Sequence, residues 1–131
     1  MGKFRKRILN LRQFKRNALV IGSGFGYIGE LSLNLKTVFV VDNPDRSLRR
    51  KNIIYKEDFV GVSALTEIDF VFIDYDQSGN LEKLHTVFTN NRAVILVQGE
   101  IVWPVKEYKY LRSLGYQHIE TGGGMQKWIP S

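Results

Sequence analysis

The chain has 131 residues, enough for one hydrophobic core and too few for two. Apolar residues make up 44% and charged residues 24%, the balance of a soluble globular protein, which excludes disordered and membrane-embedded classes. The formal net charge is +6 and there is no cysteine, so disulfides, thiolate zinc sites and a cysteine nucleophile are excluded.

The first element is basic. Residues 1 to 17 carry Lys3, Arg5, Lys6, Arg7, Arg12, Lys15 and Arg16 and no acid, leaving 12 bases to face all 13 acids in the rest of the chain. Phe4, Ile8, Leu11 and Phe14 recur at helical spacing, which predicts an amphipathic helix docked on a body formed by residues 18 to 131. The alternative is that its cations bind nucleic-acid phosphates through a salt-sensitive, sequence-independent attraction. It lacks the apolar stretch of a secretory signal, so a cytoplasmic location is expected.

Within the body, "ALVIG" reads as a buried strand, "YIGELSLNL" as a helix behind a glycine turn, and "TVFVVD" as a second strand. "NPDRSLRRK" opens with the Asn-Pro signal of a turn or helix start. "NIIYKEDF" gives a third strand, "VGVSALTE" a small helical or loop segment, and "IDFVFIDYD" a fourth strand. "NLEKLHTVFTNN" is a helix, "RAVILVQGE" a fifth strand, and "PVKEYKYLRSLGY" a helix closed by Gly115. "YQHIET" and "MQKWIPS" are strands joined through Gly122, Gly123 and Gly124. The longest apolar runs, such as "VFVV" and "AVILV", are strand-sized and far short of the roughly 20 residues of a membrane helix, so no membrane partner is expected. His85 and His118 lack the spacing of a metal site and read as surface or packing residues, with no metal expected.

Strands alternating with helices demand right-handed crossovers and a parallel sheet covered on both faces. The expected fold is one α/β domain, a three-layer Rossmann-like sheet, mostly parallel with a C-terminal antiparallel hairpin. Ligands of such sheets bind beyond the carboxyl ends of the strands, where strand order reverses. The strands end on Gly22, Asp42, Asp58, Asp74 and Gln98. Each acid alone reads equally well as a helix N-cap, but three at successive strand ends converge on one crevice.

Two glycine fingerprints compete. Gly24, Gly26 and Gly29 spell GxGxxG with Asp42 eighteen residues after Gly24, near the spacing of a dinucleotide site. In the other register, "VIGSGFG" resembles the GxGxG turn of the class I S-adenosylmethionine fold, with Gly22, Ser23, Gly24, Phe25 and Gly26 against the nucleoside. The closing strand pair and the acids after the second, third and fourth strands favour the second register. Within that fold "ALVIGSGFGYIGE", "FIDYDQ" and "LVQGEIVW" resemble segments of the spermidine synthases and related aminopropyltransferases, in order over residues 18 to 131.

The resemblance implies S-adenosylmethionine or its decarboxylated form as co-substrate. Asp42 would bind the ribose hydroxyls and Asp58 the adenine amino group, with Tyr75 and Gln98 lining the nucleoside site. Asp74 and Asp76 would be the catalytic acids that receive the attacking amine and its proton. The sequence departs from the family at Phe25, where the family has an aspartate, and in having a basic segment where the family has an N-terminal strand-rich domain. The primary expectation is a minimal aminopropyltransferase-like enzyme acting on a small amine. The alternatives are a small methyltransferase acting on nucleic acid or protein, and a non-catalytic nucleoside-binding or interaction module. A sheet edge lacking its usual cover can pair in a homo-oligomer.

Overall fold

The computed structural model describes residues 16–22, 27–41, 43, 46–57, 59, 61–74, 81–98, 105–120 and 125–131. The expected basic helix therefore lies outside the described residues, apart from its last two positions.

Burial on both faces explains the central strands. β1 (Asn17–Ile21), β2 (Thr37–Val41), β4 (Ile68–Asp74) and β5 (Val94–Gln98) are near-continuous runs of valine, isoleucine, leucine and phenylalanine. Such runs, without polar alternation, belong to strands covered from both sides. With β3 (Ile53–Lys56), β6 (Tyr116–Glu120) and β7 (Met125–Pro130) they form a seven-stranded sheet of order β3-β2-β1-β4-β5-β7-β6. Four ladders are parallel, and the two made by β7 are antiparallel. The mostly parallel sheet with an antiparallel C-terminal hairpin is the expected fold, with β7 inserted between β5 and β6 rather than added outside them.

Alternate side chains feed two cores. Ala18, Val20, Val38, Val40, Phe70 and Phe72 pack with Tyr27, Ile28 and Leu31 of α1 (Tyr27–Asn34). Leu19, Ile21, Val71, Ile73, Ile95 and Val97 pack with Val87 and Phe88 of α2 (His85–Asn91) and Leu111 of α3 (Val105–Ser113). The chain leaves β1 toward β2 in one direction and reaches β4 and β5 in the other. Right-handed crossovers therefore place α1 on the opposite face from α2 and α3.

Local chemistry sets the helix ends. The expected helix from Asn80 becomes a 3₁₀ turn over residues 81–84 before α2, because Leu84 at its N-cap offers no side-chain acceptor and the tighter turn satisfies backbone donors instead. Gly115 closes α3 as expected, at φ +85° with its N–H donating to the Arg112 carbonyl at 3.0 Å. Among its described residues, "VGVSALTE" holds the 3₁₀ turn Val62–Ala64.

Polar anchors fasten the amino edge. The Arg16 guanidinium donates to Asp69 at 2.7 Å and its backbone N–H to the same carboxylate at 3.1 Å, which raises the Arg16 pKa. Asn91 donates to the Leu65 and Val87 carbonyls and accepts the Ile68 N–H at 3.1 Å, tying the end of α2 to the start of β4. Of the two histidines read as surface or packing residues, His85 is exposed and His118 is half-buried among aromatic rings. His85 Nδ1 lies 2.9 Å from the Tyr110 hydroxyl, and the His118 ring lies 4.7 Å from that of Trp128 and 5.7 Å from that of Tyr108.

Tyr116 joins β6 to the start of β5, its buried hydroxyl donating to the Ala93 carbonyl at 2.6 Å. Burial pushes its phenol up to about 12, against an opposing pull from Arg92 over the ring. The folded state thus prefers the neutral phenol. Its contribution is complete below the unfolded value near 10 and is lost as pH rises from about 10 to about 12, because the unfolded chain releases the proton first. Urea unfolding should show Tyr116→Phe losing about 2 kcal/mol less than the parent over that window; parallel pH profiles would contradict the assignment.

Candidate functional site

The winding reverses between β1 and β4, which pair in parallel with Ile21 opposite Ile73. Beyond that pair lie Gly22 and Asp74, brought together from 52 positions apart in sequence. Gly22 donates its N–H to the Val41 carbonyl at 2.9 Å, carrying the β1–β2 contact one residue past β1. It then turns at φ +97°, a conformation that side chains strain. A Cβ on Gly22 would lie 2.6 Å from Asp74 Oδ2 and 2.9 Å from its Cγ. The glycine is therefore required twice, by its backbone angle and by the carboxylate occupying the space a side chain would need.

Asp74 is only 7% exposed. It is the last residue of β4 and stands opposite Gln98, the last residue of β5, which is half-buried. The structure thus brings Gly22, Asp74 and Gln98 to one carboxyl edge. Ser23, Gly24, Phe25, Gly26, Asp42, Asp58, Tyr75 and Asp76 lie outside the described residues. Glu57, described and exposed, follows the end of β3. A nearly buried carboxylate at a strand end, against bare glycine backbone, is chemically suited to hold a cationic group or to take a proton from an attacking heteroatom.

A second concavity was not anticipated from sequence. A cavity of about 40 Å³ opens near the first turns of α2 and α3, lined by Leu81, Glu82, Lys106, Glu107 and Tyr110. Glu107 Oε2 is buried there without a hydrogen-bond partner, and burial followed by the charge of Glu82 raises the Tyr110 pKa. In sequence Glu107 looks like an ordinary acid in a helix first turn, where it suits the helix dipole, so nothing marked it. None of its lining residues belongs to the Gly22–Asp74 crevice. Among the described residues there is no group of three metal-binding side chains and no helix long and apolar enough to cross a membrane.

By sequence the chain matches no family model and no curated protein. By structure it is similar to a methyltransferase from Geobacter sulfurreducens, with TM-score 0.71 and 15% identity over 100% of this chain and 79% of that one. It is also similar to the precorrin 8W decarboxylase of Methanobacterium thermoautotrophicum, with TM-score 0.65 and 16% identity over 98% and 90% of the two chains. The fold is that of the class I S-adenosylmethionine-dependent methyltransferases. DhpI in complex with SAH shares this methyltransferase fold, with TM-score 0.59 and 11% identity over 99% of this chain and 91% of that one. At such identities the likeness establishes architecture. The expected class I fold is borne out, whereas none of these three structures is described as an aminopropyltransferase and nothing in the fold singles out that chemistry.

The contact at the reversal point can be measured as a coupling. Gly22→Ala should destabilise the protein by about 1–3 kcal/mol from backbone strain alone, and by more because of the Asp74 clash. In an Asp74→Ala background the cost should shrink toward the strain alone, a coupling above about 0.5 kcal/mol in urea unfolding. Additive effects would show that the carboxylate does not occupy that space.

Proposed function

We propose that the chain is a small S-adenosylmethionine-dependent methyltransferase whose donor site is the crevice between the Gly22 turn and Asp74. The observation that carries this reading is the Gly22–Asp74 approach at the reversal point of a sheet with the methyltransferase fold. Two of the similar structures support it by description, one named as a methyltransferase and one as an SAH complex. Neither the geometry nor the comparisons favour the decarboxylated co-substrate or aminopropyl transfer.

The described residues fit such a ligand. Gly22 offers backbone with no Cβ, so a nucleoside can approach closely. Asp74 presents a carboxylate where a sulfonium donor and its acceptor would meet, and Gln98 stands beside it. Asp42 and Asp58, by their chain positions after β2 and β3, are the proposed partners of the ribose hydroxyls and the adenine amino group. S-adenosylmethionine, when bound, supplies an electrophilic methyl group on a positive sulfur. This chain's part is to orient the acceptor and exclude water, with Asp74 holding a cationic acceptor or taking the proton that methyl transfer releases.

Titration calorimetry with S-adenosylmethionine, S-adenosylhomocysteine and NAD tests the donor, with binding of the first two and no binding of NAD as the expected result. Asp42→Ala should weaken that binding by about 1.5–3 kcal/mol. Methyl transfer from labelled donor, assayed on RNA, DNA, protein and small amines, tests the reaction. Asp74→Asn should lower turnover about 10²–10⁴-fold while changing donor affinity far less. Donor binding without transfer to any of these acceptors would favour the non-catalytic binding module, and absence of donor binding would overturn the proposal.

A further inference from the structure

We infer that Arg46, Arg49, Arg50, Lys51 and Lys56, with Lys36 beside them, form a track for the phosphate backbone of a nucleic-acid strand. The site lies in the body of the protein and is independent of the basic segment that precedes β1. From Arg46 to Lys56 the chain carries five bases and no acid. Arg49, Arg50, Lys51 and Lys36 are exposed. Their charge is therefore directed at solvent.

The track is built rather than incidental. Residues 46–50 form no regular element, and the connection from β2 to β3 is held by its inward-facing groups. Leu48 packs on α1, with Cδ2 3.4 Å from where a Cβ on Gly29 would sit, and its carbonyl accepts the Tyr55 hydroxyl at 2.6 Å. Asn52 donates to the Ser32 and Leu35 carbonyls at 2.6 and 3.1 Å, closing the end of α1. With leucine and asparagine turned inward, the intervening cations are left outside.

Direction follows from the strand register. Arg46 lies over the Tyr55 ring at 5.8 Å, and Tyr55 pairs with Val40, one residue before the strand end that receives the Gly22 N–H. At the other end, the Asn52 carbonyl accepts the Val38 N–H at 2.8 Å, near Lys36. The cations therefore run from the crevice side of the sheet to its amino edge. Four residues of β3 at about 3.3 Å each give roughly 13 Å, longer than a single phosphate group. Three of the five are arginines, whose planar forks match phosphate oxygens. A linear row of this length suits a polymer backbone better than a single phosphate group.

The experiment measures binding of fluorescent single-stranded RNA and of vesicles containing phosphatidylserine to the full-length chain across a salt series. The parent should bind RNA with log affinity falling linearly in log salt. The variant R49E/R50E/K51E should bind at least tenfold more weakly, with a slope shallower by about 2. Since these side chains are exposed, its melting temperature should stay near that of the parent; if it does not, R50Q alone should still reduce the slope by about 0.7. A variant neutralised at Lys3, Arg5, Lys6, Arg7, Arg12 and Lys15 should retain the stripe-dependent part of the slope. An unchanged slope in the stripe variants, or binding by the parent to vesicles and not RNA, would overturn the inference.

Discussion

β1 is the strand from which the chain winds in both directions, and its pairing with β4 is held from both ends. At the amino end Arg16 grips Asp69 through its side chain and its backbone. At the carboxyl end Gly22 turns away with the Asp74 carboxylate seated where its side chain would be. Between these points every residue of β1 and most of β4 is buried, so neither strand can slide without moving its apolar side chains to the wrong face. The reversal of winding, the separation of helices onto two faces and the opening of a crevice all follow from this one pair.

The two cores that flank the pair are built differently. On one face α1 lies across β1, β2 and β4, with the Tyr27 ring 5.0 Å from Phe72. On the other, the 3₁₀ turn Val62–Ala64, α2 and α3 share the cover, and Trp128 of β7 is wholly buried among them. The connection from β2 to β3 contributes Leu48 to the α1 side, and its residues 46–50 form no regular element. Because residues 46–50 do not coil into a helix, Arg46, Arg49 and Arg50 do not share helical turns with one another.

Asp74 and Glu57 stand at the carboxyl ends of their strands, and Asp42 and Asp58 follow strand ends in the chain. A sulfonium nucleoside and a phosphate backbone have opposite charge preferences, and the proposed track begins with Arg46 on the crevice side and continues to the amino edge. On the proposed reading, attraction along the track would offset repulsion between the crevice acids and a nucleic-acid backbone.

Much of the fold was legible in the sequence because its strands are local facts. "ALVI", "VFVV", "FVFI" and "VILV" are each short, apolar and β-branched or aromatic, and burial on both faces leaves that mark whatever the neighbours are. Gly115 announced the end of α3 in the same local way, and of the strand ends Gly22, Asp42, Asp58, Asp74 and Gln98 read as one carboxyl edge, the structure describes Gly22, Asp74 and Gln98 there. What sequence did not contain was the pairing. The insertion of β7 between β5 and β6, the grip of Arg16 on Asp69 and the 2.6 Å that forbids a Cβ at Gly22 join residues dozens of positions apart, and only the packed sheet selects those partners. The run from Arg46 to Lys56 was visible as composition but became a directed track only when Leu48 and Asn52 were fixed against α1. Periodicity records which side of a segment is buried; against what it is buried is decided by tertiary contacts, whose energies belong to pairs of segments and not to either one alone.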